Sequence, residues 1–259
     1  MRQINFIPFF IVLVLTFCSC QKEIENYAAG TDSTSIPSGS FLVSTYSEDL
    51  YAVNAPNEHV KDSFKLSYDS KGRQISLVPL NSAGSGSKVL YNYSASNQIT
   101  LDLYDDNQLS THEIIYLNSY GYFDSTYQFS NDGDTLTEKY FYDTNRQLLQ
   151  LNSYDYSSTT GAELSSIATY EYDSEGNKIK ETEDGDVTTY TYANHVINNL
   201  DIGLNILKPS KYLPDTETHM MGSTTETVTH IYAFDNKNRL IMDKAELSNG
   251  YVAIKQYTY

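Results

Sequence analysis

The chain has 259 residues, a formal charge of −16, 24 tyrosines and no tryptophan. So acidic a surface repels the phosphates of nucleic acid, which removes DNA and RNA from the expected partners. The abundant Tyr, Ser, Thr, Asn and Asp are strand-face and turn residues, so the composition points to β-structure rather than to helix.

At the N-terminus, Arg2 is the single charged side chain ahead of an apolar run, residues 9–15 (FFIVLVL). That run is far short of the roughly 20 residues a spanning helix needs, and it reads as the core of a signal peptide. Ser19 and Cys20 follow shortly after. A small residue and a cysteine closing an apolar core resemble the bacterial lipobox, which implies cleavage before Cys20 and diacylation of its thiol. Phe17 stands where that pattern usually carries Leu, and Cys18 lies inside the box. Cleavage before Cys18 would place bulky Phe17 at the cleavage position, so Cys20 is the expected lipidation site. Residues 1–19 are then the signal peptide, and losing Arg2 with them takes the charge from −16 to −17. The other reading is an ordinary signal peptide with a leftover thiol. No cysteine follows Cys20, so the mature chain has no internal disulfide and must rely on burial and strand pairing. Two or more acyl chains would anchor it without a spanning segment.

Residues 21–25 (QKEIE) resemble the acidic surface-export tag of Bacteroides-type lipoproteins, and any solvated tether has a similar composition. Residues 26–40 are rich in Gly, Ser, Thr, Asp and Pro, without apolar periodicity, so residues 20–40 read as a flexible tether. Residues 41–259 are long enough for one β-rich domain.

Within that domain the stretch Tyr170-Glu171-Tyr172-Asp173-Ser174-Glu175-Gly176-Asn177-Lys178-Ile179-Lys180 reads as strand, turn, strand. Tyr170 and Tyr172 share one strand face. Asp173 offers a side chain to backbone N–H groups just ahead of it, and Gly176 takes positive φ without a Cβ clash. The same design recurs with Tyr68, Asp69 and Gly72, with Phe234 and Asn238, with Phe129 and Gly133, and with Tyr93 and Asn97. Tyr116 to Tyr120 keeps the spacing without the turn residue, and Tyr104 and Tyr142 head shorter variants. From Tyr93 to Tyr142 the copies begin every 11 to 13 residues, which signals an antiparallel meander. Phe64, Leu66 and Tyr68, then Val228, His230, Tyr232 and Phe234, alternate with polar residues, as in a sheet packed on one face and wet on the other. The expected fold is all-β: an antiparallel up-and-down meander of many short hairpins forming a curled sheet or barrel. Residues 197–207 break the rhythm. They read as a short helical or irregular segment, or as one more strand over 201–207 with a loop.

Two families share these residues. The copies at Tyr68 and Tyr172 resemble YD repeats, which build hollow β-shells around polymorphic toxins. The whole layout more closely resembles a porin-like-fold domain of unknown function found in Bacteroides-type lipoproteins. The residues carrying this are the Cys20 lipobox, the tyrosine hairpins, Ser210-Lys211-Tyr212-Leu213-Pro214, Ile231-Tyr232-Ala233-Phe234-Asp235 and Tyr257-Thr258-Tyr259. Neither resemblance supplies catalytic residues. Several copies lack the turn glycine and no toxin domain follows, which disfavours the YD shell.

No motif in the sequence carries chemistry. His59, His112, His195, His219 and His230 are scattered, with no two at ligand spacing on one element, and His230 reads as a packed sheet residue. Residues 131–134 (NDGD) and 183–186 (EDGD) echo calcium loops but lack the EF-hand ligand series, and read as hairpin turns. Gly84-Ser85-Gly86-Ser87 is a flexible loop rather than a nucleophile elbow. No cofactor or metal is expected. The sequence therefore points to a lipid-anchored protein of the bacterial outer membrane, surface-exposed or periplasm-facing, with a non-enzymatic binding or structural role and a glycan or protein ligand. Two alternatives stand beside it. One is an envelope glycan hydrolase, which needs an Asp/Glu pair converging in an open cleft. The other is a membrane-embedded barrel, disfavoured by expected strands of five to eight residues that carry Lys178, Lys180, Glu181 and Lys255.

Overall fold

The computed structural model describes residues 42–80, 87–130, 135–157, 161–194, 196, 198 and 208–259. Cys18, Cys20, the tether, Gly133 and all of the 197–207 segment except Asn198 lie outside these residues.

Sixteen strands follow one another. The first six are β1 (Thr45–Ala52), β2 (Ala55–Tyr68), β3 (Gln74–Pro79), β4 (Lys88–Ala95), β5 (Gln98–Asp105) and β6 (Gln108–Leu117). Next come β7 (Phe123–Ser130), β8 (Thr135–Tyr142), β9 (Leu148–Ser157), β10 (Gly161–Tyr172) and β11 (Lys178–Glu183). The last are β12 (Asp186–Thr191), β13 (Thr216–Met221), β14 (Thr224–Phe234), β15 (Leu240–Leu247) and β16 (Tyr251–Thr258). Each strand pairs antiparallel with its neighbours in sequence, and β1 pairs with β16 from Thr45–Thr258 to Ala52–Tyr251. The meander is therefore a closed up-and-down barrel, and closure removes the sheet edges that an open sheet leaves unpaired.

Most strands have six to eight residues, as expected, but β2, β6, β9, β10 and β14 are longer. β2 has 14 residues, β10 has 12 and β14 has 11. In β2 the extra length runs through the polar stretch Asn57-Glu58-His59, which carries no apolar alternation; His59 pairs with Tyr51 of β1, and β3 pairs β2 only from Phe64 to Tyr68.

Directly paired residues share a face. The inner face carries rows such as Leu66–Leu77–Val89–Leu103 and the pair Ile99–Ile115. The outer face carries rows such as Lys180–Thr189–Thr218–Thr227. Two apolar clusters fill the inside toward one end. One joins Val43, Leu66, Leu213, Leu240 and Tyr257; the other joins Ile99, Leu101, Ile115 and Phe123. Toward the other end the inward-facing Val60 and Tyr251 are 54% and 45% exposed. The barrel is thus packed at one end and wet at the other.

Candidate functional site

Five of the recurrent stretches build one kind of turn, and these five stand at the packed end. Asp173 accepts the backbone N–H groups of Glu175 and Asn177 on Oδ1, both at 2.9 Å. Its own N–H donates to the Asn177 carbonyl, and the Gly176 N–H donates back to the Asp173 carbonyl. Asp69, Asn118, Asp143 and Asp235 repeat this bonding. The fourth residue of each turn has positive φ: Gly72, Gly121, Arg146, Gly176 and Asn238. Each turn also carries a register shift where the preceding strand ends, at Tyr68, Leu117, Tyr142, Tyr172 and Phe234. That shift breaks simple alternation after Gly176. Lys180 faces outward onto Glu171 at 2.7 Å, while Lys178 turns inward over the rings of Tyr170 and Tyr190. Sequence spacing also misplaced one turn, which starts at Asn118 rather than following Tyr116. The hairpin after Tyr104 stands at the opposite end and turns on Asp106 and Asn107, both at positive φ.

The Asp173 turn has a second task. Asn177, 1% exposed, donates from Nδ2 to Asp173 at 2.8 Å and accepts the Tyr212 N–H on Oδ1 at 2.9 Å. Ser210 Oγ accepts the Lys178 N–H at 2.9 Å, and Lys211 pairs with Glu175. Residues 210–214 are thereby fastened across the packed end, where Leu213 enters the apolar cluster.

Inside the barrel, polar side chains join across strands. His230 Nδ1 lies 2.9 Å from Asp243, and its Nε2 lies 3.4 Å from Glu217. His219 Nε2 lies 3.5 Å from the other oxygen of Glu217, while its Nδ1 meets Thr188 Oγ1 at 3.0 Å. Burial pushes the Glu217 carboxyl up, but the two imidazoles outweigh it and hold Glu217 well below the usual carboxylate range. Burial likewise opposes charging His230, yet Asp243 and Glu217 raise it to about 9. The belt continues through Asp243, paired with Lys255, to Glu48. Across the barrel, burial and the neighbouring Glu138 raise Glu113 to about 7. Glu138 itself accepts Thr126 Oγ1 at 3.1 Å and Tyr140 Oη at 2.5 Å. These carboxyls face the inside of the sheet. Among the described residues no three His, Cys, Asp or Glu groups are placed to hold a metal ion. The convergence of His219, Glu217 and His230 was invisible to a search along single elements, because strand register creates it.

On the outer wall, Ile114, Tyr116, Ser125, Tyr127 and Phe129 line a shallow cleft of about 400 Å³. Tyr116 and Tyr127 meet edge to face, with centroids 5.8 Å apart and planes at 89°. His112 stacks on Phe129 and is held by Asp102 at 2.6 Å. Beside the cleft, Gln150 Nε2 donates to Asn152 Oδ1 at 2.6 Å, and Asn152 Nδ2 donates to Tyr154 Oη at 3.2 Å.

No protein-family model matches the chain, and no curated protein matches it. A porin-like protein from Bacteroides uniformis has a similar solved structure, with TM-score 0.63 and 17% identity, covering 85% of this chain and 97% of that one. A Tc holotoxin pore from Photorhabdus luminescens aligns with TM-score 0.27 and 15% identity, over 76% of this chain and 11% of that one. The second likeness is too slight to carry an argument. The first shows that this chain and the porin-like protein share a barrel fold.

Proposed function

We propose that the chain is a non-enzymatic protein of the bacterial envelope, lipid-anchored at Cys20, whose barrel stands in water and binds a ligand. Residues 20–40 serve as its tether and residues 41–259 as its domain. The observation that supports this reading is the chemistry of the outer wall. A membrane barrel needs an outward apolar band about 25 Å tall, and a Lys at mid-depth costs roughly 2–4 kcal/mol. Here the outward rows instead hold Lys180 with Thr189, Thr218 and Thr227, and Asp49 paired with Lys61 at 2.9 Å. The interior carboxyls Glu113 and Glu138 lie inside the wall rather than in an open cleft, which weighs against a glycan hydrolase.

Purification decides between water and bilayer. The chain with Cys20→Ala is expected to lose acyl labelling and to run as a monodisperse species without detergent. Dependence on detergent would favour the second reading, a membrane-embedded barrel, which draws on the porin-like name of the similar structure and on strands as long as β2 and β10.

A further inference from the structure

We propose that the outer wall from β6 to β9 is a binding face for neutral polysaccharide, an inference that rests on the water-facing, ligand-binding reading above. Paired rows run across this face: Ile114–Tyr127–Thr137–Tyr154, and Tyr116–Ser125–Lys139–Asn152. Phe141 beside Gln150 extends it toward the packed end, and Tyr156 beside Thr135 toward the open end. Phe129, Phe141 and Tyr156 are 43%, 46% and 54% exposed. Exposed aromatic surface of this extent on a soluble wall marks an interaction site. Four adjacent strands span roughly 15 Å, enough for a short stretch of polymer.

The pattern of the face selects the occupant. Rings alternate with hydroxyls and amides instead of forming one dry apolar patch. The Gln150–Asn152–Tyr154 chain uses only part of its hydrogen-bonding capacity, because each amide has two N–H donors and two acceptor lone pairs. A tightly packed protein partner would have to match each remaining group or leave it desolvated and unmet, which is costly. A sugar chain supplies hydroxyls to meet those groups and flat C–H faces to lie on the rings. Charge excludes acidic polymers: the molecule carries −16, and Lys139, over the Tyr154 ring, is the cation central to this face. The His112–Asp102 pair at its margin adds no net positive field to a −16 molecule.

Affinity electrophoresis of the purified full chain, in gels cast with galactomannan, pullulan or mixed-linkage β-glucan, reads the proposal directly, with alginate as the acidic control. At least one neutral polymer is expected to retard the chain, and alginate is not. Tyr127→Ala/Phe141→Ala and the separate Tyr156→Ala are each expected to weaken that retardation about fivefold or more, the loss usual for a buried aromatic anchor. Ile231→Ala, an exposed outward residue on β14, is expected to leave it unchanged. Far-UV circular dichroism confirms that the variants fold. Indifference to all three neutral polymers overturns the proposal. So does retardation that survives both aromatic variants, equal retardation by alginate, or a dimer in sedimentation that Tyr127→Ala dissociates. A chain that needs no detergent yet ignores every polymer sinks the glycan face alone, whereas detergent dependence sinks the water-facing reading beneath it.

Discussion

Gly176 and Arg146 occupy the same corner of the same kind of turn, at φ 91 and φ 66. An L side chain in that region costs about 1–2 kcal/mol, so Gly176→Ala is expected to destabilise the barrel by roughly that amount in urea melts. The new Cβ would meet Gln147 Nε2 at 3.4 Å, an ordinary contact, so backbone strain sets the effect. Arg146→Gly relieves the same strain but removes the guanidinium 4.7 Å above the Tyr120 ring, worth about 0.5–1 kcal/mol at an exposed site, so it should be nearly neutral. This contrast explains what was legible. Asp173 with Gly176 announces a turn because both residue types favour it, whereas Asp143 with Arg146 builds the same turn with a residue that signals nothing. Glu113 gives a second test at this scale. Its folded value of about 7 exceeds its ordinary 4.5, so the neutral acid stabilises the fold fully below about 4.5. That contribution, on the order of 3 kcal/mol, is lost as pH rises through 7. Glu113→Gln should therefore be more stable than the parent at pH 8 and should flatten the pH dependence between 5 and 7.

At the scale of elements, side chains fasten the cap over the packed end to the turn beneath it, alongside the backbone bonds from the Leu213 N–H to Val196 and from the Asn198 N–H to Lys211. Asn177→Ala would leave the Tyr212 N–H without its acceptor and expose Asp173 Oδ2 to the loss of a donor. A cost of about 1–3 kcal/mol is expected. Amide exchange at Tyr212 should quicken more than at Ile115 in the core, and equal protection at both sites would show that the cap is held otherwise. The string Ser210-Lys211-Tyr212-Leu213-Pro214 stood out in the sequence as a distinctive segment, but its docking partner lies more than 30 residues away and no local pattern names it. The same limit hid the imidazoles. His219 and His230 sit on β13 and β14, and only the pairing of Glu217 with Val228 brings them to one carboxylate. Alternation revealed which face each strand buries; it could not reveal which strands pair at which register.

For the whole molecule, titrating groups pull in opposite directions at the two ends of the pH scale. His230, raised to about 9 from 6.5, contributes stability that is complete below 6.5 and lost as pH climbs through 9. Glu217 and Asp173, held below their ordinary values, contribute stability present at neutral pH and lost on acidification through their folded values. Together with Glu113, these groups predict a melting temperature that peaks near pH 5 and declines toward pH 9, and a rising profile over that range would contradict the assignment. The net charge of −16 adds to the decline, since self-repulsion eases as carboxylates protonate.

The seam between β1 and β16 ties Ser44 to Thr258, 214 residues apart. Until β16 exists, β1 and β15 are both open edges, and the loop they must close is nearly the length of the domain. A barrel of this kind cannot close before its last strand has emerged, whether from the ribosome or through a membrane. Its last eight strand residues act as a latch, and the unlatched sheet is the form that sticks to others of its kind.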